Sequence, residues 1–251
     1  MKSLKAKSII VTGGSSGVGL AVCNRLTAES CNVEVFDLQK PPVDSPASWS
    51  KVNVADVDSV QEGLHAFLKT HPTIDGLVTC AAIDQIRDFL DVRIEDIRKI
   101  TEVNYYGTFI CVQQVGKTMI ETGTKGSIVT IASMAARGYR PLTAHYAAAK
   151  AAVVNLATSA SLAFAPHGIR VNCVIPGMVE TPMMAQNIKE RARMFNKTEE
   201  EVRNSLASMV PLGRRFAKPE EIASMVAFLL SDEASYITGE SFGVTGGTSF
   251  V

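Results

Sequence analysis

Short runs of apolar, β-branched residues alternate along the chain with longer segments in which apolar and polar positions recur at helical spacing. The short runs predict strands, because a strand that is buried on both faces is apolar at nearly every position. The predicted strands are residues 8–11, 32–37, 51–53, 74–78, 127–131, 169–175 and 241–244. The predicted helices are residues 17–30, 57–69, 94–121 and 144–165, and a late helix that begins at Pro219.

This alternation predicts an α/β fold, in which βαβ units build a parallel sheet. We expect about seven strands in one doubly wound sheet with helices on both faces, forming a single domain over residues 1–251. Two segments depart from the alternation. Residues 41–46 are rich in proline and predict a loop in place of a crossover helix. Residues 177–211 mix methionines with charged residues and are interpreted as a lid over a site.

Composition narrows the classes of partner. The 251 residues are 46% hydrophobic with a formal net charge of zero, so the charge favours neither nucleic acid nor an anionic membrane, and the expected partner is a small molecule. No apolar run approaches the length of a membrane span, and the N-terminus shows no signal-peptide pattern. Five irregularly spaced cysteines fit a reducing compartment, so the predicted location is the cytoplasm. No spacing of ligating residues predicts a metal site.

A glycine-rich turn follows the first predicted strand and opens the first predicted helix. It carries Gly13, Gly17 and Gly19. Glycines permit a tight turn and let the backbone approach a pyrophosphate, whose negative charge is favoured at the N-terminus of a helix. Because the turn stands between a strand and a helix, as the motif requires, it predicts a dinucleotide site.

Asp37 indicates which dinucleotide binds. It ends the second predicted strand, 18 residues after Gly19. A carboxylate at this place accepts hydrogen bonds from the adenosine ribose hydroxyls and repels a 2′-phosphate. The glycine-rich turn contains no lysine or arginine that reverses this preference, although Lys40 is close. The predicted cofactor is therefore NAD rather than NADP.

Tyr146 and Lys150 carry the candidate chemistry. Residues four apart on a helix share a face, so the ammonium is placed to stabilise a phenolate. Tyrosine titrates near 10, and a useful base near pH 7 requires a pKa lower by about 3 units, roughly 4 kcal/mol of differential stabilisation. Ser133 lies thirteen residues before the tyrosine. Together with a dinucleotide site, these residues point to nicotinamide-dependent hydride transfer.

In their order along the chain, these motifs resemble those of the short-chain dehydrogenase/reductase family. The matching segments are Thr12-Gly13-x-x-x-Gly17-Val18-Gly19, Asn104-Tyr105-Tyr106-Gly107, Ser133, Tyr146-x-x-x-Lys150, Pro176-Gly177 and Gly246-Gly247. The resemblance covers essentially the whole chain. It implies a Rossmann-like fold, oxidoreductase activity on a secondary alcohol or ketone, and assembly into a homotetramer or homodimer.

The resemblance also implies roles for individual residues. Tyr146 would exchange a proton with the substrate oxygen as general acid/base while hydride moves to or from the nicotinamide. Lys150 would lower the tyrosine pKa and bind the nicotinamide ribose. Ser133 would hold and polarise the reacting oxygen, and Asn104 would position a water for proton relay. His145 is interpreted as non-catalytic, because adjacent helix positions face different directions.

A set of residues around the cofactor follows from the same resemblance. It comprises Gly13, Ser15, Ser16, Gly17, Val18, Gly19, Asp37, Leu38, Asn53, Val54, Cys80, Ala81, Tyr146, Lys150, Pro176, Gly177, Val179 and Thr181. Three places depart from the family pattern, and one of them is Asn53, which replaces a common aspartate and whose side-chain oxygen can still accept from the adenine amino group. Thr79-Cys80-Ala81-Ala82 replaces the usual Asn-Asn-Ala-Gly near the ribose, and Thr245 replaces the aspartate that usually precedes the final glycine pair.

The substrate is less constrained by the sequence. Arg137 and Arg140 precede Tyr146 in a segment that flanks the family's substrate pocket, and Arg140 is placed to pair with a carboxylate. The short loop after Asp37 and the place of Arg140 are similar to the dihydro-dihydroxybenzoate dehydrogenases, which oxidise a carboxylated cyclic diol with NAD. Two alternatives stay open. The arginines are solvated at the surface and bind no carboxylate, or a deformable pocket lined by methionines accepts steroid or acyl substrates.

Two rival functions are kept open. An NADPH-dependent reductase of 3-oxoacyl or steroid ketones is disfavoured by Asp37. A dinucleotide-binding protein without catalysis is the other rival, since a fold by itself does not imply activity. Such a protein has little need for Ser133, Tyr146 and Lys150 together.

Overall fold

A seven-stranded sheet forms the centre of the protein, as shown by a computed structural model that describes residues 1–248. Its strands are β1 Ser8–Thr12, β2 Asn32–Asp37, β3 Ser48–Lys51, β4 Gly76–Thr79, β5 Ser127–Ile131, β6 Arg170–Pro176 and β7 Ser241–Val244. They stand in the order β3-β2-β1-β4-β5-β6-β7, and every neighbouring pair is parallel. The predicted α/β class with a doubly wound parallel sheet is therefore confirmed.

Helices cover both faces of this sheet. They are α1 Gly17–Ala28, α2 Val57–Leu68, α3 Ile94–Thr101, α4 Gly107–Glu121, α5 Ala144–Phe164, α6 Pro182–Phe195, α7 Glu199–Ser208 and α8 Pro219–Leu230. One apolar core includes residues of α1 and α8, and a second includes residues of α2, α4 and α5. Successive side chains of β1 point to opposite faces of the sheet, so Ile9 and Val11 enter the first core and Ile10 enters the second.

The differences from the predicted elements are mostly at element ends. The third strand was expected at residues 51–53 but ends at Lys51, because Ser48–Lys51 pairs with the last four residues of β2. No helix lies between β2 and β3, as the proline-rich loop predicted. The segment 177–211, interpreted as a lid, contains α6 and α7. These helices share a small core of their own, made of Ile188, Ala192, Val202 and Phe216.

Helix α5 is unusually long and apolar. From Ala144 through the following turn to His167, it has the length and composition of a membrane span, and it is the one such helix within residues 1–248. The sequence was expected to contain none. A core helix of a globular protein meets the same criteria, and here Val153, Ala157 and Ala160 are buried in the second sheet core. Packing on the sheet therefore accounts for the buried face of this helix.

The helix predicted over residues 94–121 is interrupted. Between α3 and α4 the backbone widens into a π turn, Glu102–Tyr106, and Asn104 lies within it with its side chain fully buried. One-turn π segments inside helices occur frequently at functional sites. The π turn therefore indicates that the region around Asn104 belongs to a functional site.

Candidate active site

The candidate site lies at the carboxyl ends of the strands, where the strand order reverses between β1 and β4. Open parallel sheets bind ligands at this switch point, because the loops after the two strands diverge and leave a crevice. The loops still touch at their base, where a Cβ on Gly13 would lie 2.6 Å from the Ala81 backbone. Gly13 also has a φ of +67°, so the turn requires glycine there.

The glycine-rich turn and Asp37 form one unit, as predicted. A Cβ on Gly19 would lie 2.1 Å from the carbonyl oxygen of Gly13, so the first turn of α1 packs directly on the loop backbone. The Asp37 carboxylate accepts a hydrogen bond from the Ser15 main-chain nitrogen at 3.1 Å and another from the nitrogen of Gln39 at 3.0 Å. The residues therefore fit a dinucleotide, with the carboxylate fixed beside the phosphate turn.

The residues predicted to contact the adenine and the ribose present different chemical groups to a ligand. Asn53 is exposed, and its side-chain oxygen accepts a hydrogen bond from the Ala55 nitrogen at 3.2 Å. Val54 is buried against Gly107, where an added Cβ would lie 2.7 Å from its side chain, so its backbone is what remains for a ligand. Burial raises the pKa of the Cys80 thiol to about 12, which keeps this thiol neutral at pH 7.

The opposite wall of the crevice follows β6. The Gly177 nitrogen donates to the Val244 carbonyl at 2.9 Å, and Val179 is buried and pairs with Ala217. Thr181 begins α6, and its hydroxyl accepts a hydrogen bond from the nitrogen of Met184 at 3.2 Å. Its methyl group is the nearest atom, 3.3 Å away, to a Cβ built on Gly17. The segment expected to hold the carboxamide therefore faces the phosphate turn.

Ser133, Tyr146 and Lys150 come together beside this crevice. Ser133 follows β5, and its hydroxyl accepts a hydrogen bond from the Ala135 nitrogen at 3.1 Å. Tyr146 lies half-buried in the first turn of α5. One turn later, Lys150 is 2% exposed and its Nζ donates to the Ile131 carbonyl at 2.9 Å. The Nζ lies 5.9 Å from the centroid of the Tyr146 ring, so the expected shared helix face is present.

Burial has the largest effect on the pKa values of Tyr146 and Lys150. Burial raises the pKa of Tyr146, the carboxylate of Asp84 raises it further, and hydrogen bonding with Ser133 opposes both effects. Burial also lowers the pKa of Lys150 to about 8. In this arrangement the ammonium of Lys150 is bound to a main-chain carbonyl while desolvation disfavours the phenolate, so a lowering of the tyrosine pKa by Lys150 stays a prediction.

Asn104 joins the π turn to the loop after β4. Its side-chain nitrogen donates to the Ile83 carbonyl and its oxygen accepts from the Ile83 nitrogen, both at 2.8 Å. Its own carbonyl accepts a hydrogen bond from the Thr108 hydroxyl at 2.8 Å. The structure thus shows Asn104 as a residue that fixes a loop of the site, and its role in positioning a water stays a prediction.

Asp84 is a site residue that the sequence reasoning missed. It follows Ile83 on the loop after β4, and its carboxylate accepts a hydrogen bond from the Asn187 side chain of α6 at 2.9 Å. A second bond, from the Ile86 nitrogen to the Glu190 carboxylate at 3.2 Å, joins the same loop and helix. Its place in the chain was the available signal, because loops at the carboxyl ends of parallel strands border the ligand crevice.

The arginines that were expected near the substrate are separated by the structure. Arg137 is exposed, whereas Arg140 is half-buried and donates to the Tyr139 carbonyl at 2.9 Å. Arg191 of α6, which the sequence did not indicate, is close enough to Arg140 for the two charges to interact. Burial lowers the pKa of Arg191, Asp84 opposes this effect and Arg140 adds to it. Arg140 therefore lies near Arg191, whose charge also interacts with Asp84, and Arg137 is at the surface.

His145 is buried beside Tyr146, with 4% of its surface exposed. Neither ring nitrogen has a hydrogen-bond partner among residues 1–248. Burial lowers its pKa, although Asp84 and Asp96 oppose the effect. The imidazole is therefore neutral at pH 7, and its non-catalytic interpretation stays a prediction.

Comparison with known proteins decides the family. A protein-family profile described as enoyl-(acyl carrier protein) reductase matches residues 13–249. The chain is 36% identical, over 98% of both proteins, to the 2,5-dichloro-2,5-cyclohexadiene-1,4-diol dehydrogenase of Sphingobium indicum. The chain belongs to the short-chain dehydrogenase/reductase family. The resemblance of its motifs to this family is thereby confirmed.

Other members of the family agree in sequence and in fold. A 3-oxoacyl-[acyl-carrier-protein] reductase of Thermotoga maritima is 35% identical, covering 97% of this chain and 98% of the relative. The crystal structure of an actinorhodin polyketide ketoreductase with NADPH superposes with a TM-score of 0.93 at 29% identity, over 100% of both chains. Membership in the short-chain dehydrogenase/reductase family makes this protein an oxidoreductase that uses a nicotinamide cofactor and acts on small molecules.

Burial of Lys150 gives the stability of the protein a pH dependence. Its pKa is about 8 in the folded protein, against about 10.4 in an unfolded chain, so between these values only the unfolded chain holds the proton. The free energy of unfolding therefore rises with pH across that window. The full energetic cost of burying the charged ammonium is present below pH 8. We expect Lys150→Met to be more stable than wild type at pH 7 by on the order of 2 kcal/mol, after the loss of the Ile131 hydrogen bond.

Urea unfolding at several pH values from neutral to alkaline measures this effect. The stability difference should shrink as the pH rises, whereas Lys117→Met, at an exposed position of α4, should show no such trend. A Lys150→Met variant that is less stable than wild type by the same amount at every pH would contradict the prediction.

Proposed function

We propose that the protein transfers hydride between a secondary alcohol and NAD, or between the ketone and NADH, with Tyr146 as general acid/base. The observation that carries this proposal is the convergence of Ser133, Tyr146 and the buried Lys150 beside the glycine-rich turn. Ser133 follows β5, whereas Tyr146 and Lys150 lie in the first two turns of α5. A proton-transfer group and a dinucleotide turn are what such a reaction requires.

In the mechanism, the nicotinamide supplies or accepts the hydride when it is bound. The phenol of Tyr146 donates a proton to the substrate oxygen in the direction of reduction, and its raised pKa keeps that proton in place at pH 7. In oxidation the phenolate has to form, and positive charge near the ring, including Lys150, favours it. Ser133 is placed to hold the reacting oxygen, because its hydroxyl interacts with Tyr146.

The names of the relatives support oxidation of an alcohol, since they include a cyclic diol dehydrogenase and an L-2,3-butanediol dehydrogenase from Corynebacterium glutamicum. They also support the alternative of a 3-oxoacyl reductase, and a structural neighbour carries NADPH. Asp37 favours the NAD-dependent oxidation of an alcohol over the NADPH-dependent reduction, because its carboxylate lies beside the phosphate turn and repels a 2′-phosphate.

The experiment that tests the function is an initial-rate assay of cofactor reduction by ultraviolet absorbance. NAD and NADP are each paired with neutral cyclic diols, carboxylated cyclic diols, sterols and 3-hydroxyacyl esters. Turnover of any secondary alcohol with NAD supports the proposal. NADH binding without turnover of any alcohol or ketone would favour the non-catalytic alternative.

A carboxylated cyclic diol is a second proposal for the substrate within the same reaction. It rests on Arg140, which is half-buried and close enough to Arg191 for the two positive charges to interact. An anionic group of the substrate would relieve their repulsion. In the assay above, higher kcat/KM for carboxylated than for neutral diols supports this proposal, and the reverse order contradicts it.

Asp37→Ala is expected to lower the NAD preference. The carboxylate is held by Ser15 and Gln39, so its removal takes away a fixed acceptor for the ribose hydroxyls and the repulsion of a 2′-phosphate. We expect the ratio of kcat/KM for NAD to that for NADP to fall by about tenfold or more, as befits the loss of charged hydrogen bonds. Asp44→Ala, at an exposed position of the same loop, is the matched control. An unchanged ratio in Asp37→Ala would contradict the NAD assignment.

We also propose a homotetramer or homodimer, located in the cytoplasm. Apolar side chains on the outer surfaces of α4 and α5 support assembly, because Phe109 and Leu162 are exposed there. Neither statement is needed for the mechanism above.

A further inference from the structure

Asp84 is an acidic side chain at the site that the proposed chemistry does not use. Its loop follows β4, and the loop that carries Ser133 follows β5, so the two loops are neighbours because these strands pair. The Asp84 carboxylate is close enough to Tyr146 to raise the pKa of the phenol. On its other side it is bound to Asn187 of α6. Asp84 therefore lies between the proposed acid/base and the helix that borders the site.

The carboxylate of Asp84 has acceptor positions left over. An ionised carboxylate offers about four lone-pair positions. Within residues 1–248 it accepts one bond from the Asn187 side chain at 2.9 Å and one from the Gln85 nitrogen at 2.8 Å. The side chain is half-buried and burial raises its pKa, so an additional donor is strongly favoured over a desolvated lone pair.

The basic side chains near Asp84 do not neutralise its carboxylate by a direct ion pair within residues 1–248. His145 from α5 is neutral at pH 7, because burial lowers its pKa. Arg191 from α6 attracts the carboxylate, but within residues 1–248 it forms no ion pair with it. The ammonium of Lys150 donates to Ile131 instead. The carboxylate therefore keeps acceptor positions that a hydroxyl of a bound ligand can occupy.

We propose that Asp84 accepts a hydrogen bond from a second hydroxyl of the substrate, adjacent to the carbinol that reacts at Tyr146. This inference rests on the proposed function and names its substrate class as diols and the corresponding hydroxy ketones. A partly buried carboxylate discriminates against a substrate without this hydroxyl, because a C–H group at the same place leaves an acceptor position of the carboxylate without a donor. An ether oxygen is rejected more strongly, since it brings its own lone pairs toward those of the carboxylate.

The test uses three substrates that share one ring: 1,2-cyclohexanediol, cyclohexanol and 2-methoxycyclohexanol, each with NAD. For the wild-type protein we expect kcat/KM for the diol to exceed both others by about tenfold or more. Asp84→Asn keeps the size of the side chain and an acceptor for Asn187. In this variant we expect the diol preference to fall about tenfold, mainly through KM. Asp88→Asn, exposed on the same loop, is the matched control and should keep the preference.

The outcomes separate this inference from the function on which it rests. Equal efficiency with all three substrates in wild type, or an unchanged preference in Asp84→Asn, overturns the role of Asp84 and leaves hydride transfer intact. An absence of turnover with every alcohol and ketone overturns the proposed function itself, and the inference with it. Thermal melting and NADH binding of Asp84→Asn show whether it folds. If it does not, the three-substrate comparison in wild type decides alone.

Discussion

Tyr146→Phe is expected to lower kcat for alcohol oxidation by roughly a thousandfold, within the range that general acid–base catalysis contributes. Phenylalanine fills the same half-buried place in the first turn of α5 but has no proton to give or take. The surrounding charges should remain in place, because the recorded contact of Lys150 is to the Ile131 carbonyl and does not involve the tyrosine hydroxyl. The loss should therefore fall on kcat and leave the affinity for NADH within a few-fold of wild type.

Stopped-time assays at high enzyme concentration and NADH fluorescence titration measure the two quantities separately. Tyr236→Phe removes the hydroxyl of a fully exposed tyrosine and is the matched control, expected to keep wild-type rates. A Tyr146→Phe variant that turned over alcohols at a tenth of the wild-type rate or better would show that another group moves the proton.

Gly19→Ala is expected to abolish measurable cofactor binding and to destabilise the fold by about 3 kcal/mol, the upper part of the range for overpacking. The new methyl group would lie 2.1 Å from the carbonyl oxygen of Gly13, and the backbone of a tight turn cannot rotate away as a side chain does. Either α1 or the turn has to move, and the pyrophosphate cradle is lost in both cases. A loss of about 3 kcal/mol corresponds to a melting temperature lower by roughly 6–12 °C.

NADH fluorescence titration and thermal melting measure the two effects. Gly243→Ala is the control, because a Cβ there meets its nearest neighbour, the Thr245 methyl group, at 3.6 Å, which is ordinary contact. Normal NADH affinity in Gly19→Ala would mean that the turn can rearrange to accept the methyl group and still bind the cofactor. The dinucleotide would then have to be held mainly by other parts of the crevice.

Local patterns in the sequence determined the fold and the central part of the site. The continuous apolar run of β1 specifies a strand buried on both faces, and the glycine-rich turn indicates a backbone geometry that other residues rarely adopt. The four-residue spacing of Tyr146 and Lys150 was enough to place them on one face of α5. These features were predictable because each depends on residues that are close in sequence.

Only the tertiary structure decided what surrounds this local geometry. Asp84 meets Asn187 across 103 positions of the chain, and no periodicity in either segment announces such a contact. The direction in which the Tyr146 pKa is shifted depends on burial and on that carboxylate, so the sequence spacing identified a neighbour of the tyrosine but not the other groups that act on its pKa. Desolvation and long-range charge are properties of the packed molecule, because they arise from every element that encloses a group rather than from its place in the chain.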